Sequence, residues 1–189
     1  MKKNAIIFDL DNTVYSVRSI GEDLFASLFE AVVEDGNHVD MLVNIKEDIM
    51  RKPFQLVARE YHFNEELTSR GIDLLSHLEY KGKIEPFADY ELARNLPIDK
   101  FLVTTGFLKL QRSKVEGMKL GADFKEIHVI DPSISTLTKK EIFTDILERH
   151  RYPKAEVLVV GDDINSEIKA AQDLGIDAVL YDSLMFTGK

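Results

Sequence analysis

The strongest constraint in this chain is a set of five short, unbroken apolar runs rich in β-branched residues: Ala5 to Phe8, Phe101 to Val103, Ile127 to Ile130, Val157 to Val160 and Ala178 to Leu180. A strand with one wet face alternates apolar and polar residues, whereas a run that is apolar throughout needs cover on both faces. Helical patterns between the last four runs supply that cover: Leu108 to Leu120 stopping at Gly121, Lys139 to His150 stopping before Pro153, and Ser166 to Leu174 stopping at Gly175. Glycine or proline just past the last apolar repeat is the ordinary stop signal of a helix. Strand alternating with helix specifies an α/β fold, a three-layer parallel sheet with right-handed crossovers, whose ligands gather at the carboxyl ends of the strands.

One interval breaks the rhythm. From Tyr15 to Lys83 nothing reads as a strand and the apolar spacing is helical, so the chain divides into a core of residues 1–14 and 84–189 and a helical insertion of residues 15–83. A chain of 189 residues has room for one core of ordinary size and one such insertion. Ser19 and Glu22 have the spacing of a capping box, and Ile20, Leu24, Phe25, Leu28, Phe29, Val32 and Val33 then form one apolar stripe ending at Asp35-Gly36. Further helices are predicted at Val39 to Met50, Phe54 to His62 and Glu65 to Tyr80, and Glu91 to Leu96 precedes the second strand.

Composition removes several functions. With 24 basic against 33 acidic side chains the net charge is −9, and such a surface repels a polyanion, so nucleic acid is not an expected partner. No stretch approaches the roughly 18 apolar residues of a membrane span, and the first apolar run is cut by acids too soon for a signal peptide. The absence of cysteine excludes disulfides, thiolate metal sites and thiol nucleophiles, and suits a reducing, cytoplasmic setting. The five histidines (His38, His62, His77, His128 and His150) lack metal-ligand spacing and read as structural or surface residues.

What remains is acidic. The first strand runs into Asp9-Leu10-Asp11-Asn12-Thr13, and two carboxylates two residues apart past a strand end both reach the mouth of the sheet if the chain turns sharply after Leu10. A polar Asx-turn would look the same in isolation. Gly161-Asp162-Asp163-Ile164-Asn165-Ser166-Glu167 follows the fourth strand, which can lie beside the first. Asp163 and Ser166 read equally well as helix N-caps, whereas Asp162, directly off the strand, stands where a ligand to a hard cation would face Asp9.

Four motifs in this order, each at a strand end or helix start, resemble those of the haloacid dehalogenase-like hydrolase superfamily. They are Asp9-x-Asp11-x-Thr13, the strand ending in Val103-Thr104, Lys139 or Lys140 at a helix start, and Gly161-Asp162. The resemblance spans nearly the whole chain. It implies a Rossmann-like core and a Mg²⁺-dependent phosphatase in which Asp9 attacks phosphorus to form an aspartyl-phosphate. Asp11 would be the general acid and base, and Thr104, Thr105 and Lys139 would cradle the phosphate. Asp9, the backbone carbonyl of Asp11, and Asp162 would hold the metal, with Asp163 and Glu167 behind them. Glu167 departs from the aspartate common at its position, which bears on metal geometry. The superfamily's dehalogenases lack the acid two residues after the nucleophile, since halide needs no proton, so Asp11 favours phosphoryl transfer.

The insertion at residues 15–83 resembles the small helical cap of many relatives, which implies a small phosphorylated metabolite as substrate. Arg18, Arg51 and Lys52 lie in it as cations for a second anionic group or as an ordinary charged helical face. A phosphomutase or phosphotransferase, and a non-catalytic protein that binds phosphate or metal, are the alternative readings. Oligomeric state, monomer or homodimer, is open at this point.

Overall fold

The computed structural model describes residues 2–182, so the outermost ends of the expected core lie outside the described residues. The five apolar runs form one sheet: β1 (Ala5–Phe8), β2 (Asp99–Thr105), β3 (Glu126–Ile130), β4 (Val157–Gly161) and β5 (Asp177–Leu180). All neighbours are parallel, in the order β3-β2-β1-β4-β5. Sequence order runs outward from β1 to β2 and β3, then reverses to β4 and β5. The crevice beyond the carboxyl ends of β1 and β4 is therefore the switch point at which such sheets bind ligands.

The helices are α1 (Gly21–Leu24), α2 (Ala26–Asp35), α3 (Leu42–Ile49), α4 (Phe54–Glu60), α5 (Glu65–His77), α6 (Ala88–Ala93), α7 (Leu108–Gly117), α8 (Lys139–His150) and α9 (Glu167–Leu174). Alternation along the short β1 explains the layering. Ala5 and Ile7 join Phe101, Val103, Val157 and Val159 against Phe143 and Ile146 of α8 and Ala170 and Ala171 of α9. Ile6 and Phe8 point the other way, into a larger cluster that takes in α6, α7 and the helices from α1 to α5. The inserted helices thus share one apolar mass with a face of the sheet.

Several local expectations need correction. Ser19 and Glu22 form no capping box: Ser19 sits in a 3-10 turn, its hydroxyl donates to the Ser16 carbonyl, and α1 starts at Gly21 with no side-chain cap. The stripe from Ile20 to Val32 is buried as expected, but the helix breaks at Phe25 and Val33 is 48% exposed. A capping box does form at Thr138 and Glu141, at the start of α8. Residues 39–41 are a 3-10 turn before α3, the helix before β2 spans Ala88–Ala93 instead of 91–96, and α7 stops at Gly117 instead of Leu120. β2 is longer than its apolar run because, lying between β1 and β3, it pairs residues 99 to 102 with the one and 101 to 105 with the other. Asn64 caps α5 by accepting from the Leu67 N–H, and left-handed Gly36 and Gly175 end α2 and α9.

The wall of β3 is pinned to α8 by a charge cluster. Glu126 accepts two bonds from the Arg149 guanidinium at 2.8 and 2.6 Å, and ring nitrogens of His150 and His128 lie 2.6 and 2.8 Å from it. The Arg149 bonds chiefly, with help from His150 and His128 against partial burial, hold the Glu126 carboxyl well below the usual carboxylate range. A depressed folded-state value stabilises above the unfolded value of about 4.3 and loses that contribution as pH falls below it. Glu126→Gln is expected to cost about 1 kcal/mol at pH 7, given how exposed Arg149 is. Urea unfolding of both proteins from pH 7 down to pH 3 should show the gap closing below about pH 4; a gap independent of pH would exclude this origin.

Candidate active site

β1 and β4 run in register, Phe8 beside Val160, and the Asp9 N–H extends the ladder by donating to the Val160 carbonyl at 2.9 Å. Asp9 therefore leaves the sheet in a fixed direction. The chain then turns at once. The Val14 N–H returns to the Leu10 carbonyl and Asn12 adopts a left-handed φ of 56°, a conformation asparagine tolerates. That turn brings Asp9 and Asp11 into the same cavity, as their spacing required, but into different surroundings.

Asp9 is buried with two acids and a base. The Lys139 ammonium, from the first turn of α8, lies 2.5 Å from Asp9 Oδ1 and 2.7 Å from Glu167 Oε2. Asp9, Asp162 and Glu167 each offer a carboxylate oxygen, all within 4.8 Å of one another. Burial raises the Asp9 carboxyl, against the pull of Lys139, with Glu167 and Asp11 adding repulsion. Burial, then the charge of Glu167, pushes Asp162 up to about 7. The charges of Asp9 and Glu167 overcome burial and keep Lys139 firmly protonated.

Three carboxylates against one ammonium leave an excess of negative charge, and the donors are all oxygen. This set fits a hard divalent cation such as Mg²⁺ and contains no soft ligand. Glu167, which sequence reasoning placed behind the ligands, offers an oxygen to the same cluster while its two oxygens also accept from Lys139 and from the Asp163 N–H. Its extra methylene lets it reach back over the end of β4, and Gly161 makes room, since a Cβ there would overlap Glu167 Cγ. The other oxygen of Glu167 accepts the Asp163 N–H at 2.6 Å. Asp163 itself closes an Asx-turn, accepting from the Asn165 N–H at 2.8 Å, and Ser166 occupies the cap position of α9 without a side-chain bond.

Asp11 is paired differently. Lys114 Nζ lies 2.8 and 3.0 Å from its two oxygens, Gln111 Nε2 donates to Oδ2 at 2.9 Å, and the Tyr15 hydroxyl donates to Oδ1. Burial alone would raise this carboxyl; the Lys114 charge and the bonds from Lys114, Tyr15 and Gln111 outweigh it and hold the group below the usual value. Sequence reasoning missed all three partners. A signal was present: the buried apolar residues of α7, Leu110 and Val115, continued by Met118 just past its end, are interrupted by the equally buried Gln111 and Lys114.

Thr104, buried at the end of β2, accepts from Gln111 Nε2 at 2.7 Å and lines the same cavity as Asp9, with Thr105 next to it. Lys139 is the lysine turned inward, whereas Lys140 is half-exposed and lies 3.7 Å from Asp173. Thr13 is buried with no bonding partner for its hydroxyl among the described residues. The cavity has a volume of about 640 Å³. It is lined by the carboxylates, Thr104 and Lys139, by Phe25, Met50, Phe54 and Leu75 from the insertion, and by Phe107 and Leu110. Arg51 and Lys52 line it too, Lys52 paired with Asp48 and Glu60, while Arg18 pairs with Glu47. None of the five histidines lines it, and His38 is a buried tie between Asp35 and the Tyr61 carbonyl.

The same fold occurs in solved structures of low sequence identity. A candidate phosphatase from Clostridium difficile superposes with a TM-score of 0.65 at 17% identity, over 94% of this chain and 84% of that one. The L-2-haloacid dehalogenase of Xanthobacter autotrophicus gives 0.54 at 14% identity, over 93% and 76%. The magnesium-bound hydrolase YfnB of Bacillus subtilis gives 0.53 at 19% identity, over 94% and 86%. No curated protein matches the sequence. No described helix is long and apolar enough to cross a membrane. The family model of the haloacid dehalogenase-like hydrolases matches residues 3–175, from before β1 to the end of α9, and the chain belongs to that family.

Proposed function

We propose that the protein is a Mg²⁺-dependent phosphatase that hydrolyses a small phosphate monoester through an aspartyl-phosphate on Asp9. The observation that carries this reading is the separation of two carboxylates in one cavity: Asp9 beside Lys139 in a cation-binding cluster, and Asp11 outside the cluster with its own lysine. A dehalogenase needs only the first. Hydrolysis of an ester also needs a group that moves a proton to the leaving oxygen and takes one from water.

The steps follow from these positions. Asp9 attacks phosphorus and the bond to the leaving oxygen breaks, that oxygen taking its proton from the Asp11 carboxyl. Asp11 can carry the proton because the incoming phosphoryl anion raises its affinity for one. Lys139 and the Thr104 hydroxyl take up charge on the phosphoryl oxygens. Water then attacks phosphorus, gives its proton to Asp11, and the bond to Asp9 breaks to release phosphate. Asp9, Asp162 and Glu167, with the carbonyl of Asp11, would hold Mg²⁺, which when bound offsets the repulsion between Asp9 and the substrate. In this reading residues 15–83 act as a cap that excludes water and selects a small phosphorylated metabolite. The name of the Clostridium relative and the magnesium in the Bacillus structure support it.

Phosphate release from a panel of small monoesters tests the reading. Turnover should require Mg²⁺, stop on chelation, and fall at least about 10³-fold in Asp9→Asn. Metal-independent turnover, or an Asp9→Asn protein of undiminished rate, would overturn it; transfer to an added sugar hydroxyl in place of water would favour a phosphotransferase. A second variant tests the metal cluster without touching a carboxylate. Gly161→Ala should displace Glu167 and weaken Mg²⁺ binding about tenfold or more by titration calorimetry. Unchanged affinity would place the cation elsewhere.

A further inference from the structure

On the inward face of α7, Gln111 and Lys114 stand three residues apart, one turn of helix, and are 1% and 2% exposed. An apolar residue at either position would pack there without desolvating a polar group. Gln111 in particular is costly, because its Oε1 is buried with no hydrogen-bond partner among the described residues. Its amide nitrogen explains its presence. Nε2 lies 2.7 Å from Thr104 Oγ1 and 2.9 Å from Asp11 Oδ2, with the Thr105 carbonyl at 3.4 Å. The reversed amide would set an oxygen against a carboxylate, so the orientation is determined.

A threonine hydroxyl has one proton and accepts through its lone pairs. Once Thr104 accepts from Gln111, its proton is left for another acceptor, and no protein group among the described residues takes it. Thr104 lines the same cavity as Asp9 and Lys139, which leaves its proton for a group bound in that cavity. The same nitrogen ties Thr104 to Asp11, whose carboxylate Lys114 and Tyr15 hold from the other side. Gly106 belongs to this device: its φ of 155° suits glycine, and a Cβ there would lie 3.1 Å from the Gln111 side chain.

We propose that Gln111 is a positioning residue for phosphoryl transfer, fixing the Thr104 hydroxyl as a donor to the phosphoryl group and tying it to Asp11. This rests on the phosphatase reading above. A residue that acts through another loses its effect when that other is gone, so the test is a double-mutant cycle. kcat and KM are measured for the wild type, Gln111→Leu, Thr104→Val and the double variant on the best ester of the panel. Thermal unfolding and Mg²⁺ affinity are measured for each.

Gln111→Leu is expected to lower kcat about 10- to 100-fold with KM changed less than about threefold, the pattern of an interaction made in the transition state. On the Thr104→Val background its effect on kcat should be at least about threefold smaller than on the wild type, what remains reporting its bond to Asp11. Mg²⁺ affinity should change less than about threefold, since Gln111 touches the side chain of Asp11 and not its carbonyl, and none of Asp9, Asp162 and Glu167. Multiplicative losses in the cycle, or a loss of Mg²⁺ affinity equal to that of kcat, would overturn the proposal and make Gln111 a packing residue. Gln111→Met replaces Gln111→Leu if the latter does not fold. A wild type without turnover on any ester overturns the phosphatase reading and this proposal with it; turnover with multiplicative losses overturns the proposal alone.

Discussion

The carboxylate cluster at the end of β1 depends on the Lys139 ammonium lying between Asp9 and Glu167. Buried carboxylates repel one another and lose hydration, and a protein keeps three of them together only with compensating charge. Lys139 supplies one positive charge from a position 130 residues along the chain, joining the end of β1 to the starts of α8 and α9. Its place is set by elementary geometry. The capping box of Thr138 and Glu141 fixes where α8 begins, so residue 139 takes the first helical position, turned toward the sheet, and residue 140 turns toward solvent and Asp173.

The second lysine extends the same logic. Asp9 and Asp11 are two residues apart, yet Asp9 faces Lys139 from the helix on one side of the sheet and Asp11 faces Lys114 from the helix on the other. Burial and neighbouring acids raise the first carboxyl; a private ammonium and two neutral donors lower the second. Environments that drive two like groups apart are how one loop can provide a nucleophile and a separate proton-handling group. The sharp turn from Leu10 through Asn12 is what lets two acids two residues apart face lysines from opposite sides of the sheet.

Much of this was legible in the sequence because it is local. Unbroken apolar runs announced the five strands, and β1 and β2 are buried on both faces as such runs require, but the edge strand β5 leaves Val179 and Leu180 40% and 49% exposed. Asp9, Thr104 and Asp162, at or just past the ends of their strands, stand at the mouth of the sheet. What escaped was either nonlocal or a matter of backbone context. Ser19 and Thr138 have the same capping spelling, but only Thr138 is extended before its helix, and no residue count distinguishes the two. The reach of Glu167 depends on the missing Cβ of Gly161, six residues earlier. Gln111 and Lys114 interrupt an apolar stripe, which by itself reads as a weak helix; the acceptor they share, Asp11, lies 100 and 103 residues away and becomes visible only in three dimensions.

The inserted helices are bound to the chemistry through both packing and a single side chain. They have no apolar cluster separate from the sheet: Phe25, Leu28, Phe54 and Leu75 belong to the same buried mass as Phe8 and Leu102. Asn12, at the turn between the two acids and the rest of the chain, accepts from the Val17 N–H at 3.1 Å and donates to the Met50 carbonyl at 3.3 Å. The turn that carries Asp11 is therefore tied, through the neighbouring Asn12, to the end of α3, and Met50 and Phe54 beyond it line the same cavity as Asp11, so the inserted helices help to fix where that carboxylate stands.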